Sequence, residues 1–163
     1  MVMRAHILTV AERVPPWVKA GFDEYAKRLA HKLPLTLAEL PLGPRSGKSA
    51  ISRAIADEGI RMFAAIPKQS RVIALDSKGE QWSSEILAKQ LANWMMDGRD
   101  LCFLIGGPDG LAPQCLLEAQ QKWSLGPLTL PHALVRIVLA EQIYRAVSML
   151  DNHPYHRATP CKS

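Results

Sequence analysis

The sequence has 163 residues, with 20 lysines and arginines against 15 aspartates and glutamates, so its formal net charge is +5 with histidine neutral. Hydrophobic residues make up 48% and charged residues 21%, which are globular proportions and exclude disordered and collagen-like classes. The length suits one domain with a sizeable core. No apolar run reaches the roughly 18 residues that span a membrane.

The three cysteines, Cys102, Cys115 and Cys161, are odd in number and form no CxxC pair. They suggest neither a disulfide framework nor a cysteine zinc site. We therefore expect a cytosolic protein without a membrane segment or a metal. Zinc binding through His153 and His156 is an alternative, although Pro154 lies between them and no carboxylate cluster accompanies them.

The basic residues are clustered along the chain, which leaves two interpretations open: solvated faces, or a surface that binds a polyanion such as nucleic acid. The clusters are Arg13, Lys19, Lys27, Arg28 and Lys32; Arg45, Lys48 and Arg53; and His153, His156, Arg157 and Lys162.

The first half of the chain predicts two strand–helix units. Residues 4–10 and 35–42 favour strands, Pro15-Pro16 opens the first helix, and Pro67 ends the second. An inward stripe with helical spacing is predicted at Val18, Phe22, Tyr25 and Leu29 of the first helix. The second helix carries Ile51, Ile55, Met62 and Ile66.

The second half predicts two further strands, 71–76 and 100–105, as apolar runs buried on both faces. Between them, Ser83 or Ser84 caps a helix that ends at Asp97-Gly98. Its predicted inward residues are Leu87, Leu91, Trp94 and Met95. A helix near Pro113, an apolar segment at 125–130 and a last helix at about 132–150 follow. The alternation implies an α/β domain with a mainly parallel sheet flanked by helices.

Ligands of such sheets bind beyond the carboxyl ends of the strands, so the loops there are the candidate binding sites. The sequence GPRSGKS at 43–49 suggests a phosphate loop, which would make the protein a small NTPase. It has three residues where that motif needs four, and Pro44 lacks an N–H. A basic surface loop is the favoured interpretation.

Two other segments are candidates for a binding pocket. The loop GGPDG at 106–110 follows a buried strand, and its paired glycines let the backbone approach a ligand closely. The segment WSLGPLTLPH at 123–132 combines apolar side chains with a fixed Gly-Pro, which suits binding of a flat heterocycle. A tight turn and an irregular core strand are the respective alternatives.

Several motifs taken in order resemble one family, the small SPOUT-class methyltransferases of the RlmH type. Those enzymes methylate N3 of a pseudouridine in large-subunit (23S) ribosomal RNA of bacteria. The motifs are PWV at 16–18, GFDEYAKR at 21–28, DEG at 57–59, IGGPDGL at 105–111, LTLPH at 128–132, EQIYRA at 141–146 and NHPYHR at 152–157.

The resemblance implies a single-domain SPOUT fold over residues 1–157 with a C-terminal trefoil knot, followed by a short extension at 158–163. It also implies a homodimer that binds S-adenosyl-L-methionine in the knot and acts on 23S rRNA in the ribosome. The cofactor-binding residues that it implies are Leu75, Gly106, Leu125, Gly126, Pro127, Leu128, Thr129 and Leu130.

The implied reaction is transfer of a methyl group to a pseudouridine N3 that must first lose its proton. Glu141 and Arg145 lie four residues apart on the last helix, where an ordinary ion pair is the alternative. The candidate catalytic residues are Arg136, Glu141, Arg145, His153, Tyr155 and His156. We expect the arginines to hold RNA phosphate or the developing anion. A non-catalytic RNA-binding module remains an alternative function.

Overall fold

Strands and helices alternate along the chain, as the apolar periodicity predicts. The computed structural model describes residues 3–47 and 50–157, with 156 and 157 described by their backbone alone. The strands are β1 (Ala5–Val10), β2 (Leu35–Leu40), β3 (Arg71–Gln81), β4 (Leu101–Ile105) and β5 (Gln121–Ser124). The helices are α1 (Pro16–Leu29), α2 (Ala50–Ala65), α3 (Ser84–Asp97), α4 (Pro113–Glu118) and α5 (His132–Leu150). A short 3-10 helix, Pro154–Arg157, follows α5.

All five strands run parallel in one sheet with the order β2-β1-β4-β3-β5. Successive side chains of a strand point to opposite faces, so each face has its own core. On one face Ile7 packs in a cluster with residues of α1, α3 and α5. On the other, Leu8 packs with residues of α2 and α4. The predicted parallel sheet covered on both faces is confirmed.

Strand β3 is longer than its apolar run predicts. The register with β5 places both Leu75 and Glu80 opposite Trp123, so residues 76–79 bulge out of the sheet before pairing resumes. This bulge brings polar residues to the carboxyl end of the sheet. Strand β5 itself is absent from the sequence prediction, because four residues beginning with Gln121-Lys122 carry no apolar pattern.

One predicted inward residue is exposed, and so is one apolar residue of α2. Met95 of α3 is 38% exposed, so its predicted inward position is wrong, whereas Leu87, Leu91 and Trp94 are buried as predicted. Ile51 of α2 is also exposed. Helix α2 instead buries Ala54, Glu58, Gly59 and Met62. A Cβ added at Gly43 would lie 2.6 Å from the Cα of Ala54. Such a close approach leaves no room for a bulky side chain there.

Helix α5 begins at the carboxyl end of the sheet and packs against α3 and α1 along its length. The described strands belong to one sheet. Among the described residues, no helix is long and apolar enough to cross a membrane. The predicted extension at 158–163 lies outside the described residues, so its boundary stays a prediction.

Candidate active site

A cavity of about 730 Å³ lies beyond the carboxyl ends of β3, β4 and β5. Three segments form most of its wall: residues 75–78 from the β3 bulge, 105–111 after β4, and 123–130 after β5. The remaining wall residues are Gln81 of β3, Leu116 of α4, and His132 and Val135 from the start of α5. The volume of the cavity is that of a typical small-molecule site.

The structure brings all eight predicted cofactor residues together in the wall of this one cavity, although their segments are far apart in sequence. They are Leu75, Gly106, Leu125, Gly126, Pro127, Leu128, Thr129 and Leu130. The wall also contains Ser77, Lys78 and Val135, which the sequence did not single out. Ser77 and Lys78 reach it because β3 bulges, and the local sequence signal for that bulge is Gly79, a glycine inside the strand.

The glycine loop after β4 is held in a compact shape. A Cβ added at Gly106 would lie 2.5 Å from the backbone carbon of Gly110, so a larger residue would force the loop apart. The amide of Gly110 donates to the carbonyl of Gly107 at 3.0 Å, which closes a tight turn over residues 107–110. At the other side of the loop, the carbonyl of Gly106 accepts a hydrogen bond from Nε2 of His132.

The segment after β5 forms a loop and not the irregular strand considered from the sequence. The hydroxyl of Ser124, at the end of β5, accepts a hydrogen bond from the amide of Gly126 at 3.2 Å. Leu128 is 79% exposed although it belongs to the cavity wall. An apolar side chain in that position gains by being covered when a ligand binds.

Arg136 lies in α5 but outside the cavity wall. Its side chain is 2% exposed, and Nη1 forms an ion pair with Oε2 of Glu39 at 2.9 Å. Glu39 and Thr9 are register partners in β2 and β1, so Arg136 packs over the adjoining edge of the sheet. Arg136 is therefore buried away from solvent in this arrangement.

Glu141 and Arg145 form the i,i+4 ion pair that their spacing predicts, with 3.3 Å between Nε and Oε2. Both side chains are half-buried, and Oε1 of Glu141 also accepts from the Gln142 amide at 2.9 Å. A helix rises about 1.5 Å per residue, so Arg145 lies about 20 Å along α5 from His132 at the cavity. Within one chain, the ion pair of Glu141 and Arg145 therefore lies far from the cavity.

Tyr155 packs back onto the far part of α5 and onto α1. Its ring meets that of Tyr144 edge-on at 4.6 Å between centroids. The guanidinium of Arg145 lies 5.1 Å from the Tyr155 centroid, and that of Arg28 lies 5.9 Å away. Burial raises the pKa of Tyr155, and a hydrogen bond with Tyr25 raises the pKa further. Tyr155 is therefore a neutral phenol near pH 7.

The other two tail candidates are less well placed by the structure. Nδ1 of His153, which is exposed, accepts from the Tyr155 amide at 3.2 Å. His156 belongs to the 3-10 helix, but its side chain lies outside the described atoms. Over the described part of the chain, no group of three or more His, Cys, Asp or Glu side chains could hold a metal ion.

Much of the clustered positive charge is paired within the chain. Lys19, Arg28 and Lys32 form ion pairs with Asp23, Glu24 and Asp151, respectively. Arg45 pairs with Glu58 and Asp109. The amide of Gly43 donates to Oε2 of Glu58 at 2.8 Å, so the would-be phosphate loop uses its first donor within the protein. These contacts argue against a phosphate loop.

Comparison with solved structures supports the fold. A probable methylase family protein from Haemophilus influenzae Rd KW20 superposes with a TM-score of 0.53 at 13% identity, covering 99% of this chain and 74% of that one. A putative methylase family protein from Neisseria gonorrhoeae gives a TM-score of 0.54 at 14% identity, covering 88% and 82%.

Closer relatives are found by sequence. The chain is 54% identical to the ribosomal RNA large subunit methyltransferase H of Stenotrophomonas maltophilia (strain K279a) over 156 residues, which is 96% of this chain and all of that protein. It is 53% identical, with the same coverage, to the protein of the same name from Xanthomonas campestris pv. campestris (strain B100). The family described as "Predicted SPOUT methyltransferase" matches residues 3–156, and the chain therefore belongs to the SPOUT methyltransferase family.

Proposed function

We propose that this protein methylates N3 of a pseudouridine in 23S ribosomal RNA and uses S-adenosyl-L-methionine as the methyl donor. The observation that carries the proposal is its 54% identity, over the whole length of the relative, to a ribosomal RNA large subunit methyltransferase. Because its substrate is the ribosome, we place the protein in the cytoplasm.

The cavity fits this cofactor by its size and by the chemistry of its wall. A volume of about 730 Å³ suits a nucleoside with an amino-acid tail. Gly106 admits close approach of a ligand to the backbone, and the segment 125–130 offers backbone groups and apolar side chains for an adenine ring. We assign cofactor binding to Leu75, Gly106, Leu125, Gly126, Pro127, Leu128, Thr129 and Leu130.

When bound, S-adenosyl-L-methionine supplies a methyl group attached to a positively charged sulfur. The chain must then hold the target base and handle one proton, since N3 lies between two carbonyls and is a good nucleophile only after deprotonation. We assign this work to Glu141, Arg145, His153, Tyr155 and His156. Holding N3 in line with the methyl group supplies much of the remaining rate enhancement.

Arg136 has a different position from the other catalytic candidates. Its guanidinium is buried against Glu39, at the carboxyl end of β2. We propose that it stabilises the site from behind by fixing the first turns of α5, and leaves contact with the RNA to Arg145.

We infer that two copies of the chain form one site. Arg145 lies about 20 Å along α5 from the cavity, and the tail of the same chain packs beside Arg145. A tail that reaches the cofactor must therefore come from another chain. A homodimer supplies that tail from the partner. It also doubles the basic surface available to ribosomal RNA, for which one small domain has no separate binding module. We also propose that this chain has the C-terminal trefoil knot that its family resemblance implies.

The experiment that tests the function combines binding and transfer. Calorimetry should detect binding of S-adenosyl-L-methionine and not of ATP, and tritiated methyl should reach ribosomes from a strain that lacks the modification. Binding of ATP alone would support the NTPase alternative. Cofactor binding without transfer would support a non-catalytic RNA-binding module.

A further inference from the structure

Arg45, in the loop between β2 and α2, connects helix α2 to the glycine loop after β4. Its guanidinium donates from Nη1 and Nη2 to the two carboxylate oxygens of Glu58 in α2, at 2.6 and 3.2 Å. Its Nε donates to Oδ2 of Asp109 in the glycine loop at 2.8 Å. These two carboxylates raise the pKa of Arg45. The fork geometry of arginine, which lysine lacks, makes the double contact available.

Glu58 is wedged between helix α2 and the glycine loop. Its side chain is 4% exposed, and a Cβ added at Gly107 would lie 3.2 Å from its Oε1. A buried carboxylate is costly unless it is paired and hydrogen-bonded. Arg45 and the amide of Gly43 supply those partners, so this carboxylate provides a fixed anchor directly behind the loop.

Asp109 occupies the tip of the turn that the Gly107 carbonyl and the Gly110 amide close. It lines the cavity, whereas Arg45 does not. The loop is thus fastened on two sides: to α2 through Asp109, Arg45 and Glu58, and to α5 through Gly106 and His132.

We propose that Arg45 is a positioning residue for the methyl donor, which holds the turn 107–110 against α2 so that the Gly106 backbone stays in its binding geometry. This inference rests on the proposed function, because it assigns the cavity to that donor. It gives a role to the loop at 43–47, whose sequence resembles a phosphate loop.

Hydrogen exchange of the ligand-free protein tests the mechanical part of the proposal without any donor. In Arg45→Met, amides of residues 106–111 should exchange at least tenfold faster than in the wild type. Arg53→Met removes an exposed arginine from α2 and should leave that exchange unchanged. Equal exchange at 106–111 in all three proteins would overturn the proposal.

Calorimetry with S-adenosyl-L-methionine tests the functional part. We expect the Kd for the donor to rise about tenfold in Arg45→Met, with the KM for ribosomes unchanged. Asp109→Ala should raise the same Kd. The Kd of the double variant, which carries both substitutions, should lie within about twofold of that of the more weakly binding single variant. Additive effects, or a wild-type Kd in Arg45→Met, would contradict a role through Asp109.

The design separates failure of this inference from failure of the proposed function. If the wild type binds no S-adenosyl-L-methionine, the proposed function fails, and the exchange experiment still decides whether Arg45 orders the loop. If Arg45→Met does not fold, Asp109→Ala decides, since it leaves the pair of Arg45 and Glu58 intact: unchanged exchange at 106–111 in that variant would refute the proposal.

Discussion

His132, the first residue of α5, donates a hydrogen bond from Nε2 to the carbonyl oxygen of Gly106. The contact joins two segments of the cavity wall that are 26 residues apart in sequence. It sets the start of α5 against the glycine loop, and so connects the candidate cofactor site to the helix that carries Glu141 and Arg145.

Loss of this bond should weaken cofactor binding. We expect His132→Ala to raise the Kd for S-adenosyl-L-methionine about fivefold, in line with the roughly 1 kcal/mol net value of a hydrogen bond. His132→Gln keeps an N–H donor and should recover part of the loss. Equal affinity of the alanine variant and the wild type in calorimetry would show that the bond does not support the site.

Leu128 offers a test of the cavity that leaves the core intact. Leu128→Ala should weaken cofactor binding by about 1 kcal/mol, roughly fivefold, because the ligand would cover an apolar side chain that water now reaches. The unfolding temperature should not change. Leu117→Ala is the matched control, since Leu117 is 86% exposed on α4 and lies outside the cavity wall. A weaker Kd in both variants would argue against a specific contact at Leu128.

Strands and helices could be predicted from the sequence where the apolar pattern is long. The cavity wall could be predicted where glycine and proline determine the backbone conformation. The runs 71–76 and 100–105 and the stripe of Val18, Phe22 and Leu29 need only local periodicity to be recognised. Gly106 is marked by paired glycines after a predicted strand, and the segment 125–130 by its Gly-Pro and apolar residues; the two do meet in one cavity.

The missed features depend on contacts between distant residues. The sequence predicts Arg45 to be a surface charge, whereas its guanidinium forms ion pairs with Glu58 and Asp109. Arg136 reads as an RNA contact, yet it is buried beside Glu39. No local pattern carries such pairings, and the bulge after Leu75 likewise depends on the strand beside it.

The tail should be needed for transfer and not for cofactor binding. A chain that ends at Asp151 loses Tyr155 and its packing against Tyr144, and we expect methyl transfer to fall at least about a hundredfold, an effect of the size produced by removing acid–base groups. The Kd for the cofactor should stay within about twofold.

A chain that ends at Arg157 is the matched control for this truncation, because it lacks only the predicted extension at 158–163. It should keep full activity. Retained transfer in the shorter truncation would remove the tail from the mechanism.

Asp100 should make stability depend on pH. Burial of its carboxylate opposes ionisation, but the Arg4 amide at 3.0 Å and Nε2 of His6 at 3.2 Å outweigh it and lower the pKa of Asp100. A lowered pKa in the folded state stabilises the fold above the carboxyl's ordinary pKa of about 4, and that stabilisation disappears as pH falls below it.

We therefore expect Asp100→Asn to lower the unfolding temperature at pH 7, and we expect this difference from the wild type to shrink as the pH falls below about 4. Glu12→Gln, at an exposed carboxylate, should leave the melting curve unchanged at both pH values. A difference for Asp100→Asn that persists unchanged at pH 3 would mean that the charge is not its source.

Methyl transfer to N3 can be checked by mass spectrometry of nucleosides from 23S rRNA after incubation of unmodified ribosomes with the protein and S-adenosyl-L-methionine. We expect one new methylated pseudouridine, carrying its methyl group on N3. A methyl group on another atom or another nucleoside, or no methyl group although the cofactor binds, would contradict the proposed function.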